Sequence, residues 1–341
     1  MRALVYQGEK SIAVQEVPLP TAGPGEVLLR VAATGICGSD VHGYLGLTGR
    51  RVPPMIMGHE FCGTVEVTGE GVTGFARADL VSVQPVIFCG ACEHCREGLT
   101  NLCTSRRFFG VMDCNGSMAE YLNVPSRLLY RMPQTMTPEV GAMVEPLAVA
   151  LRAVKRAGDR VAGRTVLVVG AGTIGLLILA VLRLRQPARV LVSDLSDRRL
   201  SLAQTMGADV VVNPTRQSLS DRARELTNGR GLDVSFEAVG LGASVEQAMA
   251  TLRPRGTCVW VGNSQKVIPV DMQGTVTREI EVLGSYIYTH AEFGEALDLL
   301  ARGAVDLRPV ISRTAGLEQG PELFAELARP GTELVKVVLR S

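Results

Sequence analysis

Up to about residue 130 the chain carries short runs of alternating apolar and polar positions, at 3–6, 26–32, 63–67, 80–83 and 119–124, with Gly and Pro between them. A period of two puts one face of each run into a core, and the frequent turn residues predict an antiparallel, barrel-like β unit. From Thr165 the pattern changes. Apolar segments at 166–169, 189–193, 210–212, 234–236 and 257–261 now alternate with helical stretches at 173–185 and 197–206. That alternation predicts a parallel sheet covered by helices on both faces, and an α/β fold class. After Gly284 a helical stretch at 291–302 leads through a polar segment to a last strand at 334–339, placed to return to the first unit.

A length of 341 residues fits two domains. With 35 basic against 34 acidic side chains, net charge is +1, and only 4% of residues are aromatic. That composition supports neither nucleic acid nor an anionic membrane as partner, and favours a small molecule. The longest apolar stretch, 174–182, is far shorter than the roughly 20 residues needed to cross a bilayer. Positions 1–10 alternate and end in Glu9 and Lys10, unlike a secretory signal. Eight cysteines without such a signal predict a reducing compartment, here the cytoplasm, with thiols serving as metal ligands or packing residues.

Four of those cysteines, Cys89, Cys92, Cys95 and Cys103, crowd one polar loop as C-x2-C-x2-C-x7-C. Four thiolates converging from so short a loop predict a closed, structural zinc; an iron–sulfur cluster is the alternative, although the last gap departs from ferredoxin spacing. A second grouping is more dispersed, with Cys37 in one segment and His59-Glu60 in another. One thiolate, one imidazole and one carboxylate suit a zinc that keeps an open coordination position, as catalysis needs; a satisfied His–Glu core pair is the plainer reading. Third, Gly170-Ala171-Gly172-Thr173-Ile174-Gly175 directly follows the apolar strand at 166–169 and opens an apolar helix. That context turns a weak motif into a dinucleotide site, with backbone N–H groups and a helix N-terminus facing a pyrophosphate. Asp194, 19 residues beyond the third glycine, is positioned to accept from an adenosine ribose, or else to cap the next helix.

Taken together, Cys37-Gly38-Ser39-Asp40-Val41-His42, Gly58-His59-Glu60, the four-cysteine loop, Val144-Glu145-Pro146-Leu147 and the glycine motif with Asp194 resemble the zinc-dependent medium-chain dehydrogenases of the alcohol dehydrogenase superfamily. Glu145 stands where ordinary alcohol dehydrogenases have a second cysteine ligand, which is similar to the polyol branch of sorbitol and threonine dehydrogenases. The resemblance implies a GroES-like catalytic domain over 1–148 and 284–341 and a Rossmann NAD-binding domain over 149–283, with the active site in the cleft between them. It implies two zinc ions per chain, one held by Cys37, His59, Glu60 and Glu145. Ser39 and His42 become a proton relay, and Arg199 packs near the adenine. Tyr44, Phe109, Tyr286 and Ile287 become candidates to line the substrate site.

The activity so implied is reversible hydride transfer from a secondary alcohol of polyol type to NAD, in a homodimer or homotetramer. Ile287 stands where sorbitol dehydrogenases carry an arginine, which argues against sorbitol itself. A sugar-phosphate or 3-hydroxy amino acid substrate is the nearest alternative, and a non-catalytic NAD-sensing zinc protein is the competing class. Arg50 and Arg51 read as solvated surface charges, with recognition of an acidic substrate as their other use.

Overall fold

In the computed structural model, which describes residues 1–341, the chain divides into two units: Met1–Glu145 with Thr289–Ser341, and Pro146–Tyr288.

In the second unit Val166, Leu167, Val168 and Val169 are all buried, although neighbours in a strand point to opposite faces. Both faces of the sheet are therefore covered, and the run is continuously apolar, as a parallel sheet requires. Its six strands are Thr165–Val169, Arg189–Ser193, Val210–Val212, Leu232–Glu237, Leu252–Trp260 and Glu281–Gly284. Every pairing is parallel, and numbering the strands of this unit one to six gives the spatial order 3-2-1-4-5-6 of a dinucleotide-binding sheet. One face packs on the helices Leu219–Leu226 and Gly242–Ala250 through Leu219, Ala223, Val245 and Ala248.

Those two helices and the sixth strand are elements that the hydrophobic pattern does not announce. Leu219–Leu226 buries only Leu219 and Ala223 amid charged residues. Gly242–Ala250 is built largely from small residues, and Glu281–Gly284 is a four-residue edge strand that is only partly buried.

The first unit is mainly antiparallel. A three-stranded sheet pairs Arg2–Gly8 with Ser11–Glu16 and Met55–Ile56. In the larger sheet Glu26–Ile36 pairs with Glu60–Thr68, with Tyr121–Pro125 and with Lys336–Arg340. The C-terminal strand thus lies beside the strand that leads into Cys37. Its register sets Val338 opposite Gly35, and Gly35 is in turn opposite Glu60.

Candidate active site and metal centres

Cys37 is the N-cap of the short helix Gly38–Tyr44. Its sulfur accepts from Ser39 N at 3.5 Å, and the carboxylate of Asp40 accepts from Cys37 N at 3.2 Å. This reciprocal capping fixes the turn that presents the thiol. His59 and Glu60 come from the start of the strand Glu60–Thr68 and the residue before it, and ligand atoms of Cys37, His59 and Glu60 lie within 4.8 Å of one another. Both His59 and Glu60 are buried.

The group attracts positive charge. Burial opposes a proton on His59, but Asp40 and Cys37 overcome it and raise its pKa. Burial likewise opposes the charge on Lys336, yet Glu60 and Cys37 raise its pKa. A thiolate, an imidazole and a carboxylate drawn together in an anionic, shielded environment fit a zinc ion with an open position. Glu145 is buried in the first turn of the helix Val144–Ala157, outside this three-residue group, although Lys336 senses its charge.

Two supporting residues lie behind these ligands. One oxygen of Asp40 receives Arg51 Nη2 at 2.8 Å and lies 3.5 Å from His59 Nδ1. Burial works against the Asp40 charge, but His59 and Arg51 hold its carboxyl well below the usual carboxylate range. A carboxylate on the far nitrogen of a ligand histidine fixes its tautomer and ring orientation. The sequence offered one signal for Asp40: a carboxylate three residues after an N-cap. Arg51 corrects its reading as a surface charge, because its side chain is only 3% exposed. Its stem passes α-helical Gly43, where any Cβ would collide with it. Lys336, the partner of Glu60, carried no sequence signal at all.

Ser39 is exposed and His42 half-buried, three residues apart on one helix face. Burial lowers the pKa of His42. Of the candidate lining residues, Tyr44 and Phe109 are buried in two separate core clusters, Tyr44 against Phe324 and Phe109 edge-on to Phe61. Phe108, the last residue of the short strand Arg107–Phe108, lies beside His59 instead, with ring centroids 5.4 Å apart. Tyr286 and Ile287 are half-buried in the second unit, and Ile287 has φ 41°, a region that β-branched residues rarely occupy.

Cys89, Cys92, Cys95 and Cys103 also bring their sulfurs within 4.8 Å of one another. The sulfur of Cys89 accepts from Ala91 N and Cys92 N at 3.4 and 3.3 Å, and that of Cys103 accepts from Cys89 N at 3.3 Å. N–H donors from Cys95 and Thr104 bring Cys92 down to about 6, whereas burial, helped by the neighbouring thiols, pushes Cys95 up to about 12. Four sulfurs at this spacing ionise together only around a cation, which fits a closed zinc site.

In the second unit each glycine of the motif has its own reason. Gly170 has φ 97°, and an added Cβ would lie 2.7 Å from Val239 Cγ2. At Gly175 a Cβ would collide with the carbonyl oxygen of Gly170, so strand and helix could not approach. Gly172, the N-cap of the helix Thr173–Arg183, faces open space; its missing side chain leaves a cradle beside Thr173 and Ile174 that fits a phosphate. Asp194 accepts from Ala171 N at 2.7 Å and Ser196 N at 2.8 Å, tying the second strand to the glycine turn. Arg199 lies in the first turn of the helix Asp197–Thr205, whose N-cap is Ser196, and not Asp194.

Comparison with known proteins agrees with this geometry. Residues 23–134 match the alcohol dehydrogenase GroES-like domain, and residues 173–302 match the zinc-binding dehydrogenase family. Sorbitol dehydrogenase of Bacillus subtilis is 32% identical, over 99% of this chain and 97% of the relative. L-threonine 3-dehydrogenase of Pyrococcus horikoshii is 37% identical, over 93% and 91%. The crystal structure of L-idonate 5-dehydrogenase from Escherichia coli superposes with a TM-score of 0.91 at 31% identity, covering 100% of this chain and 98% of that one. With relatives of this kind matched over nearly their whole length, the chain belongs to the zinc-dependent medium-chain dehydrogenases, in their polyol branch, and is an NAD-dependent, zinc-containing oxidoreductase.

Proposed function

We propose that the enzyme oxidises a secondary alcohol bearing a neighbouring hydroxyl or other polar group, reversibly, to a ketone. The observation that carries this reading is the mixed donor set of Cys37, His59 and Glu60. With a carboxylate in place of a second thiolate it is richer in oxygen than a two-thiolate site at the same formal charge, and offers acceptors that a second substrate hydroxyl can use. Sorbitol, threonine and idonate, the compounds in the relatives' names, all have a secondary hydroxyl beside another polar group.

A zinc ion bound by Cys37, His59 and Glu60, with Glu145 as a further ligand or water holder, supplies Lewis acidity toward an alcohol oxygen. NAD, bound through Gly170, Gly172, Thr173, Ile174, Gly175, Asp194 and Arg199, supplies the hydride acceptor. The proton is the task of the side chains. Ser39 takes it from the substrate hydroxyl, and His42, whose lowered pKa keeps the imidazole neutral near pH 7, receives it and releases it to solvent.

We assign 1–148 with 284–341 to catalysis and 149–283 to the nucleotide. Asp194 favours NAD over NADP, because a 2′-phosphate would meet its carboxylate. Val267, Val270, Met272 and Val276 form an exposed apolar stretch in the second unit, which supports a homodimer or homotetramer. The eight free cysteines support a reducing, cytoplasmic setting.

A substrate panel tests the reading: sugar alcohols, vicinal diols, sugar phosphates, 3-hydroxy amino acids and monoalcohols, each with NAD and NADP. A polyol shorter or less hydroxylated than sorbitol is expected to give the highest kcat/KM, with sorbitol poor because Ile287 replaces the arginine. A primary monoalcohol at the top, with diols inactive, would remove the polyol assignment and leave zinc and NAD standing.

A further inference from the structure

Lys336 Nζ donates to Glu60 Oε2 at 2.5 Å and to the carbonyl oxygen of Ile36 at 3.1 Å, and both charged side chains are at most 2% exposed. The contact joins the C-terminal strand to a metal ligand two strands away. Glu26–Ile36 runs between them, with Gly35 opposite both Glu60 and Val338. Only a glycine permits this, since a Cβ on Gly35 would collide with Glu60 Oε2.

Burying a lysine and a carboxylate this deeply is no efficient way to stabilise a sheet; an apolar residue at position 336, next to buried Val337, Val338 and Leu339, would serve as well or better. The pair therefore points to the site. We infer that Lys336 occupies one oxygen of Glu60 so that this carboxylate binds the catalytic metal through its other oxygen alone, and a coordination position stays open for the alcohol. A carboxylate free of that tie can turn both oxygens to the metal and fill the position that catalysis uses. Lys336 is thus a positioning residue, acting through Glu60 without touching the substrate. The inference rests on the reading of Cys37, His59 and Glu60 as the catalytic metal site.

The test uses full-length enzyme with cobalt(II) in the catalytic site and zinc in the four-cysteine site. Wild type is expected to show the intense visible bands of four-coordinate cobalt and to change spectrum when an alcohol analogue is added. Lys336→Met should weaken those bands toward a higher coordination number and abolish the response to the analogue. Its catalytic zinc should be lost to a chelator no faster than in wild type, while kcat falls ~10- to 100-fold. Lys336→Arg, which keeps a cation on Glu60, should restore the four-coordinate spectrum.

A Lys336→Met enzyme that loses zinc quickly yet keeps the wild-type spectrum would overturn the inference and reduce Lys336 to a structural role. So would a five-coordinate spectrum in wild type, a result available even if Lys336→Met does not fold. Wild type that binds no cobalt at Cys37 and His59 would instead defeat the site reading beneath it.

Discussion

Asp40 shows how much of this site depends on a residue that touches no substrate. Its carboxylate caps Cys37, holds Arg51 and faces the Nδ1 of His59, so one side chain orders two candidate ligands. Asp40→Asn keeps the shape but removes the charge, and should lower zinc affinity or kcat/KM ~10- to 100-fold. Metal analysis beside steady-state kinetics checks this; unchanged values in both would show that Arg51 and the helix turn suffice. Asp194 is a comparable residue in the second unit. Because it also receives Ala171 N and Ser196 N, Asp194→Ala should erode the preference for NAD and weaken both cofactors together. Fluorescence titration with NADH and NADPH separates the two effects, and loss of NADH binding alone would mean that the glycine turn does not need the carboxylate.

Among the elements, the turn from Thr165–Val169 into the helix Thr173–Arg183 is the least tolerant. Gly175→Ala sets a methyl group against the carbonyl of Gly170 and should cost about 1–3 kcal/mol, with NAD affinity falling more than thermal stability alone would suggest. A variant with wild-type Kd for NADH would contradict the close packing described.

The helix His290–Ala301 carries a pH-sensitive start. His290 Nδ1 lies 2.7 Å from Gln84 Oε1 and 2.8 Å from Tyr130 Oη, and burial, with a smaller contribution from Arg127, lowers its pKa below 6.5. The unfolded chain then binds the proton more readily, so stability is lost as pH falls through and below the ordinary histidine value. His290→Gln should flatten that loss, as read from Tm at successive pH values between about 5 and 7. An equally steep profile in the variant would place the acid sensitivity elsewhere.

At the scale of the whole molecule the two candidate zinc sites differ in how they can lose their ion. Four sulfurs close the Cys89, Cys92, Cys95 and Cys103 site, whereas three mixed donors leave the other open. A chelator should therefore abolish activity well before it unfolds the protein, and metal content should fall from two zinc ions to one as activity disappears. Simultaneous loss of activity, both ions and the folded signal would refute the distinction. Cys95→Ser should lower Tm with activity surviving in the folded fraction, and Cys37→Ser should leave Tm nearly unchanged and activity near zero.

Sequence alone determined what is local. The strand, glycine turn, helix and Asp194 were legible because the turn sets its own local demands, as the positive φ of Gly170 and the clash that a Cβ on Gly175 would make with the Gly170 carbonyl show. The four-cysteine loop was legible for the same reason, its ligands being separated by only a few positions. Tertiary structure alone decided what lies around the Cys37, His59 and Glu60 group. Lys336 reaches Glu60 across 276 positions of sequence, and Arg51 reaches Asp40 across a helix that a missing Cβ at Gly43 lets it pass. Neighbouring Phe108 and Phe109 point to different surroundings, one at the end of a strand and the other in the turn after it, which composition cannot distinguish. The physical reason is the same in each case: a ligand's residue type is dictated by the chemistry of the ion. The charges that orient the ligand need only be close in space, and sheet register brings them there from anywhere in the chain.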